Sequence, residues 1–150
     1  AVKELGKIGL KQYEISNFAY KDFESRHNLH YWKCEEYIGI GPSAHSYFNG
    51  KRYAVPPSLT DFINNPFQKE ILTDENPGNF EEYAMLRIRL SEGLDLNKCK
   101  ERFDIDKENI ISKAKPMISA GLVKLENSVI SLTPKGFLLS NIIIGKLFVQ

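Results

Sequence analysis

Apolar positions in the first third of the chain switch between helical and alternating periods. Val2, Leu5 and Ile8 recur at helical spacing, and Gly9 is placed to end that helix. Leu10 to Phe18 then alternates, with Tyr13 and Ile15 on one face and Gln12, Glu14 and Ser16 on the other, which predicts a strand. Helix, glycine, strand is one repeat unit of an α/β barrel or doubly wound sheet. Ser25 can cap a short helical or turn segment carrying His27 to Lys33. Glu36 to Ile40 is the next predicted strand, and it empties into Gly41-Pro42-Ser43. Ala44 to Phe48 and Lys51 to Val55 flank Asn49-Gly50, a strong hairpin signal. Pro56-Pro57 stops that pairing and marks the expected boundary.

Beyond the boundary the pattern turns helical. Ser58 with Asp61 three residues on starts a short helix that Asn64-Asn65-Pro66 breaks, and Gln68 to Leu72 reads as a connecting strand. Phe80 to Leu90 carries a wide apolar stripe, with Gly93 where a left-handed cap belongs. Asn97 to Phe103 makes a second helix. Asp106 caps a third, through Ile110, Ile111, Ala114 and Ile118 to Gly121, with a kink or late start expected at Pro116. Leu122 to Leu125 and Val129 to Leu132 form a hairpin across Glu126-Asn127-Ser128. Thr133 caps a last helix with Pro134 in its first turn, running through Phe137, Leu138, Ile142 and Leu147. Three helices, a hairpin and a further helix is the order of a winged-helix domain.

Composition narrows the classes. A chain of 150 residues with 42% apolar and 26% charged positions is globular and long enough for a core. A formal charge of +1 argues against the basic field of a nonspecific nucleic-acid binder. Two separated cysteines form no disulfide framework and fit a reducing cytosol, so a cytoplasmic location is expected. No run approaches the roughly 20 apolar residues of a membrane span. The opening Ala-Val-Lys-Glu-Leu-Gly-Lys has no signal core or initiator methionine and reads as a helix caught inside a larger domain.

Two stretches carry candidate chemistry. In Tyr37-Ile38-Gly39-Ile40-Gly41-Pro42-Ser43-Ala44-His45, a small-residue turn follows a buried strand, the place where α/β folds hold ligands. The alternative is a tight turn whose glycines relieve crowding. Ten residues upstream, His27-Asn28-Leu29-His30-Tyr31-Trp32 sets an imidazole beside broad aromatic surface. His27, His30 and Cys34 share a helix face, a weak zinc-like pattern that would need His45 as fourth ligand. On spacing alone a packed aromatic turn outweighs metal binding. Glu14 and Asn17 could point into a cavity, but a single carboxylate without an acid–base partner receives no catalytic role. Arg26 and Arg52 could meet carboxylates of a ligand, or be solvated surface residues.

Tyr13-Glu14-Ile15-Ser16-Asn17-Phe18-Ala19, the His27 block and the Gly39 turn, in this order and spacing, resemble the later part of the HemW family. That family comprises radical S-adenosylmethionine (SAM) proteins similar to oxygen-independent coproporphyrinogen III oxidase. Gly121-Leu122-Val123 and Leu132-Thr133-Pro134-Lys135-Gly136 match the family's C-terminal domain. The resemblance implies an α+β chain: the last strands of a radical-SAM partial (β/α) barrel over residues 1–57, then a winged-helix-like C-terminal domain over 58–150. It implies haem binding, with His27 as axial metal ligand, Asn28 orienting the loop, and Tyr31 and Trp32 packing the ring. It carries nothing onto His30 or Cys34. It makes Gly39, Gly41, Ser43, Ala44 and His45 candidate cofactor-contacting positions, although the oxidase subgroup has an apolar side chain where His45 stands.

One departure bears on activity. The family's Cys-x3-Cys-x2-Cys signature for a [4Fe–4S] cluster is missing, since the chain has only Cys34 and Cys99. The expectation is a C-terminal fragment, catalytically silent by itself, of a parent that uses SAM and the cluster. The His27 block favours a haem chaperone over the oxidase, with a respiratory haem protein as acceptor. The rival class is a winged-helix DNA-binding module, but Lys107, Lys113 and Lys115 on its third helix are diluted by Asp106 and Glu108, so no nucleic-acid partner is expected. The two early strands, lacking parallel neighbours, must pack on the second domain, self-associate with another copy, or disorder.

Overall fold

The structure, a computed structural model, describes residues 1–65 and 70–148. The N-terminal part contains α1 (Val2–Lys7), β1 (Lys11–Gln12), β2 (Phe18–Ala19), α2 (Arg26–Trp32), β3 (His45–Phe48) and β4 (Lys51–Ala54). Then come α3 (Leu59–Asn64), β5 (Ile71–Asp74), α4 (Phe80–Arg87), β6 (Leu94–Asp95), α5 (Leu96–Phe103) and α6 (Lys107–Ser119). The chain closes with β7 (Val123–Glu126), β8 (Val129–Leu132), α7 (Pro134–Phe137) and α8 (Ser140–Phe148). Helix and sheet are segregated in an α+β arrangement. Every strand pairing among the described residues is antiparallel, in sheets ordered β1-β2, β3-β4-β5 and β6-β8-β7.

The core lies in the C-terminal half. Ile88, Leu94, Leu96, Ile130, Ile143 and Leu147 are each at most 2% exposed and pack as one cluster with Cys99 and Ala114. Burying each large aliphatic side chain contributes roughly 1.5–3 kcal/mol. Caps fix where the helices of this half begin: Asn79 Oδ1 accepts from Glu82 N, Asp95 Oδ1 from Asn97 N and Lys98 N, and Asp106 Oδ1 from Asn109 N. Thr133 Oγ1 accepts from Gly136 N, so α7 starts where the sequence predicts. It stops at Phe137, and α8 begins afresh at Ser140, so the single long final helix is in fact two. Pro116 is accommodated inside α6, which is helical from end to end.

Both predicted hairpins form. Asn49 and Gly50 both take positive φ, 52° and 67°, as do Asn127 and Ser128 at 50° and 65°. That is the geometry of a two-residue turn that matches strand twist. The first predicted strand does not run from Leu10 to Phe18. The chain folds back on itself there: Lys11 pairs with Ala19, Gln12 with Phe18, and Tyr13 N donates to Asn17 O. Glu14 turns the chain, because its Oε2 accepts from Ser16 N at 3.1 Å. Glu36 to Ile40 forms only a single bridge, in which Tyr37 and Tyr47 exchange both backbone hydrogen bonds. A strand exists by virtue of its pairing, and Ile38 to Ile40 have no ladder. Ile38 and Ile40 accordingly stand 64% and 83% exposed.

Two further expectations change. Helix α4 ends at Arg87 rather than Leu90, because Leu90 is drawn into a bridge with Glu14. Gly93, with φ +76°, therefore caps no helix and instead precedes β6. The connecting strand is β5, beginning at Ile71; Gln68 and Lys69 lie outside the described residues. The N-terminal segment meets the C-terminal half beside that bridge, where Ser91 N and Ser91 Oγ both donate to Tyr13 O.

Candidate functional site

Helix α2 is short, and Ser25 Oγ starts it by accepting from Asn28 N at 3.3 Å. Its spacing puts Asn28, Tyr31 and Trp32 towards the tip of the β1–β2 turn. There they line a cleft of about 310 Å³ together with Glu14, Ser16, Asn17 and Leu86 of α4. The lining joins a carboxyl, a hydroxyl and two amides to the broader side chains of Tyr31, Trp32 and Leu86. That mixture is usual for small-molecule sites.

His27 stands at the rim rather than in the cleft. It is exposed, and its Nε2 lies 3.0 Å from the Tyr31 hydroxyl, with the two rings edge to face at 4.8 Å. Tyr31 in turn meets Tyr37 edge-on at 4.4 Å, which ties the helix to the segment before the glycine turn. Glu14 forms the floor. Its side chain is fully buried, Oε2 is taken by Ser16 N, and Oε1 has no hydrogen-bond partner.

The other predicted positions lie elsewhere. Gly39, Gly41, Ser43, Ala44 and His45 line neither this cleft nor a second one of about 340 Å³ formed by Ile38, Ser46, Phe48, Asn49, Tyr53 and Glu70. The Gly39 turn is held by the fold: a Cβ on Gly39 would sit 2.3 Å from His45 O, and Gly39 N donates to Ser46 Oγ. Ser46 Oγ donates onward to Glu70 Oε1 at 3.1 Å. His45 is exposed at the start of β3.

The zinc-like set is not assembled. Among the described residues no group of three or more His, Cys, Asp or Glu side chains could hold a metal. His30 Nδ1 pairs with Glu35 Oε2 at 2.6 Å. Cys34 is half-buried, and burial, reinforced by the Glu82 carboxylate, pushes its thiol pKa up. Arg52 is not a solvated surface arginine: it pairs with Glu82 of α4, whose Oε2 also accepts from Gly78 N at 2.6 Å, and lies over the Tyr47 ring. Arg26 remains exposed.

Glu14 and Asn17 were legible as possible cavity residues, whereas Leu86 gave no signal beyond its place in an apolar stripe. Nothing in the residue pattern showed that the Tyr13 block would turn back on itself to make a cleft floor.

The second half of the chain defines the class: residues 79–139 match the HemN C-terminal domain family. The structure superposes on Escherichia coli coproporphyrinogen III oxidase, HemN, described as a radical SAM enzyme, with a TM-score of 0.62 and 17% identity. That likeness covers 98% of this chain and 39% of the other, and it establishes the fold. The chain is 33% identical over 146 residues to the haem chaperone HemW of Bacillus subtilis, covering 91% of its own length. HemW of Lactococcus lactis is 32% identical over the same number of residues, covering 95%. The chain is therefore similar to HemW-type haem chaperones over nearly its whole length, and its residues 79–139 match the HemN C-terminal domain. It spans 38% of the length of these two HemW relatives.

Proposed function

We propose that this chain is the haem-handling C-terminal part of a HemW-like chaperone, with α2 and its cleft as the tetrapyrrole site. The observation that carries the reading is the placement of His27, Tyr31 and Trp32 on one seven-residue helix, imidazole at the rim and aromatic wall inside. In it His27 is the axial ligand, Asn28 orients the loop, and Tyr31 and Trp32 pack the ring. His27 Nε2 would hold the iron, and would give up its contact with the Tyr31 hydroxyl to do so. Haem iron needs one imidazole and a flat apolar wall, and the residues present supply both.

An iron–sulfur cluster does not fit these residues. Cys99 is fully buried in the core, and Cys34 is a single half-buried thiol. SAM and its cluster therefore belong, in this reading, to the remainder of the parent, and this chain alone is catalytically silent. Gly39, Gly41, Ser43, Ala44 and His45 remain its proposed contacts to that cofactor. Residues 1–57 are read as the end of the barrel and 58–150 as a winged-helix-like domain. Support for the latter comes from α4, α5 and α6 followed by the β7–β8 hairpin, with β6 completing the sheet.

The proposed partners are haem or porphyrin and a respiratory haem protein as acceptor, and the proposed location is the cytoplasm. Exposed Ile38 and Ile40 favour self-association of the chain when nothing else covers them. The family match favours this reading over DNA binding, and among the described residues no helix is long and apolar enough to cross a membrane. The test is a haem titration followed in the Soret band. Saturable one-to-one binding that weakens at least about tenfold in His27→Ala is expected. Binding unchanged by that substitution refutes the ligand assignment.

A further inference from the structure

The contact that engages His27 comes from its own helix. Nε2 lies 3.0 Å from the hydroxyl of Tyr31, four residues further along α2. As an acceptor, Nε2 uses its lone pair on the tyrosine proton; as a donor, it carries a proton and has no lone pair to give. In neither tautomer can it hold a metal while the contact stands. Tyr31 is the fixed half of the pair. Its ring lies edge-on to His27 at 4.8 Å and to Tyr37 at 4.4 Å. Tyr37 is itself anchored, since it exchanges both backbone hydrogen bonds with Tyr47, a buried residue. His27 is exposed, so the imidazole is the half with room to turn. Spacing of four on one helix keeps the two side chains neighbours, which gives the hydroxyl a high effective concentration at that nitrogen.

We propose that the Tyr31 hydroxyl is a built-in competitor for His27 Nε2, which lowers the affinity of the site for an iron-bearing ring and speeds its release. This rests on the tetrapyrrole reading above and gives Tyr31 two opposed parts. Its ring packs the ligand, while its hydroxyl reclaims the nitrogen whenever the imidazole lets go. A protein that passes its cargo on gains from such a rival, because release needs no outside group to cover the vacated ligand. The competition acts only on a ring that requires Nε2. A metal-free ring leaves the His27–Tyr31 pair intact and does not feel it. Tyr31→Phe keeps the packing surface and removes the rival. Water still reaches Nε2 in that variant, because His27 is exposed, so the expected gain is small.

The experiment titrates haem and metal-free protoporphyrin IX onto wild type, Tyr31→Phe, His27→Ala and the variant carrying both substitutions, by Soret absorbance and porphyrin fluorescence. Tyr31→Phe should bind haem about threefold more tightly than wild type, the net effect of one solvent-exposed hydrogen bond. It should also pass haem to apomyoglobin about threefold more slowly. The metal-free ring should bind both proteins alike, and the gain for haem should vanish when His27 is alanine. Equal gains for the two rings would come from phenylalanine packing and overturn the proposal. Haem bound no more tightly by Tyr31→Phe, with His27→Ala still weakening it, overturns the proposal and leaves the ligand assignment standing. Haem binding indifferent to His27→Ala refutes that assignment, and the competitor with it. Should Tyr31→Phe fail to fold, Tyr31→Leu is read as the ratio of haem affinity to metal-free affinity. That ratio should rise by about threefold over wild type, and an unchanged ratio overturns the proposal.

Discussion

Gly39→Ala tests whether the small-residue turn is a steric requirement of the fold. A Cβ there would lie 2.3 Å from His45 O, 3.0 Å from His45 C and 3.1 Å from the Ala44 Cβ. The first two are backbone atoms at the start of β3, so no side chain can rotate away. Relief means moving His45, which pairs with Ala54, and with it Ser46, whose Oγ accepts from Gly39 N. Overpacking of this kind costs about 1–3 kcal/mol, and the hydrogen bond about 1 kcal/mol more. The expected loss is about 2–4 kcal/mol, or roughly 5–12 °C in Tm for a chain of this size. Gly41→Ala is the control, since its φ of +105° is strained for alanine but no atom lies within 4 Å of the new Cβ. It should cost only about 1–2 kcal/mol. Urea denaturation followed by circular dichroism gives both values. A Gly39→Ala loss smaller than that of Gly41→Ala refutes the steric argument.

Other consequences follow from single contacts. Ser128→Gly should stabilise the chain by about 0.5–1 kcal/mol, because Ser128 holds a φ of +65° that glycine adopts freely; thermal melts would show it. Arg52→Ala and Glu82→Ala, with the double variant, should give a coupling of about 1–2 kcal/mol in denaturation, since both side chains are about three-quarters buried. A coupling near zero would mean that β4 and α4 are held together without that pair. Cys99, in the core, has its thiol pKa raised to about 11 by burial, with Asp95 adding to it. The folded chain then binds the proton more tightly than the unfolded one. Stability should fall as pH rises from about 9 to about 11, by a contribution on the order of 2 kcal/mol that Cys99→Ala removes.

Much of the fold was legible because its signals are local. Asn49-Gly50 and Asn127-Ser128 set their hairpins through residues that tolerate positive φ, and Ser58, Asp106 and Thr133 cap the helices they were expected to cap. The misses come from pairing, which no local pattern encodes. The alternation from Leu10 to Phe18 looks like one strand, but Glu14 bonding to Ser16 N and bridging Leu90 makes it a turn. The same bridge takes Leu90 out of α4. Of the candidate site, the α2 residues were legible from their aromatic and imidazole content. The cleft that they line was not, because its floor comes from that unforeseen turn and its far wall from Leu86, an ordinary apolar helix residue.

The most direct measurement uses Trp32, the chain's single tryptophan, which lines the proposed site. Haem bound against α2 should quench its emission, saturating at one equivalent, and His27→Ala should shift the midpoint upward by about tenfold. Quenching that never saturates, or a midpoint indifferent to His27, would contradict a haem site on this helix.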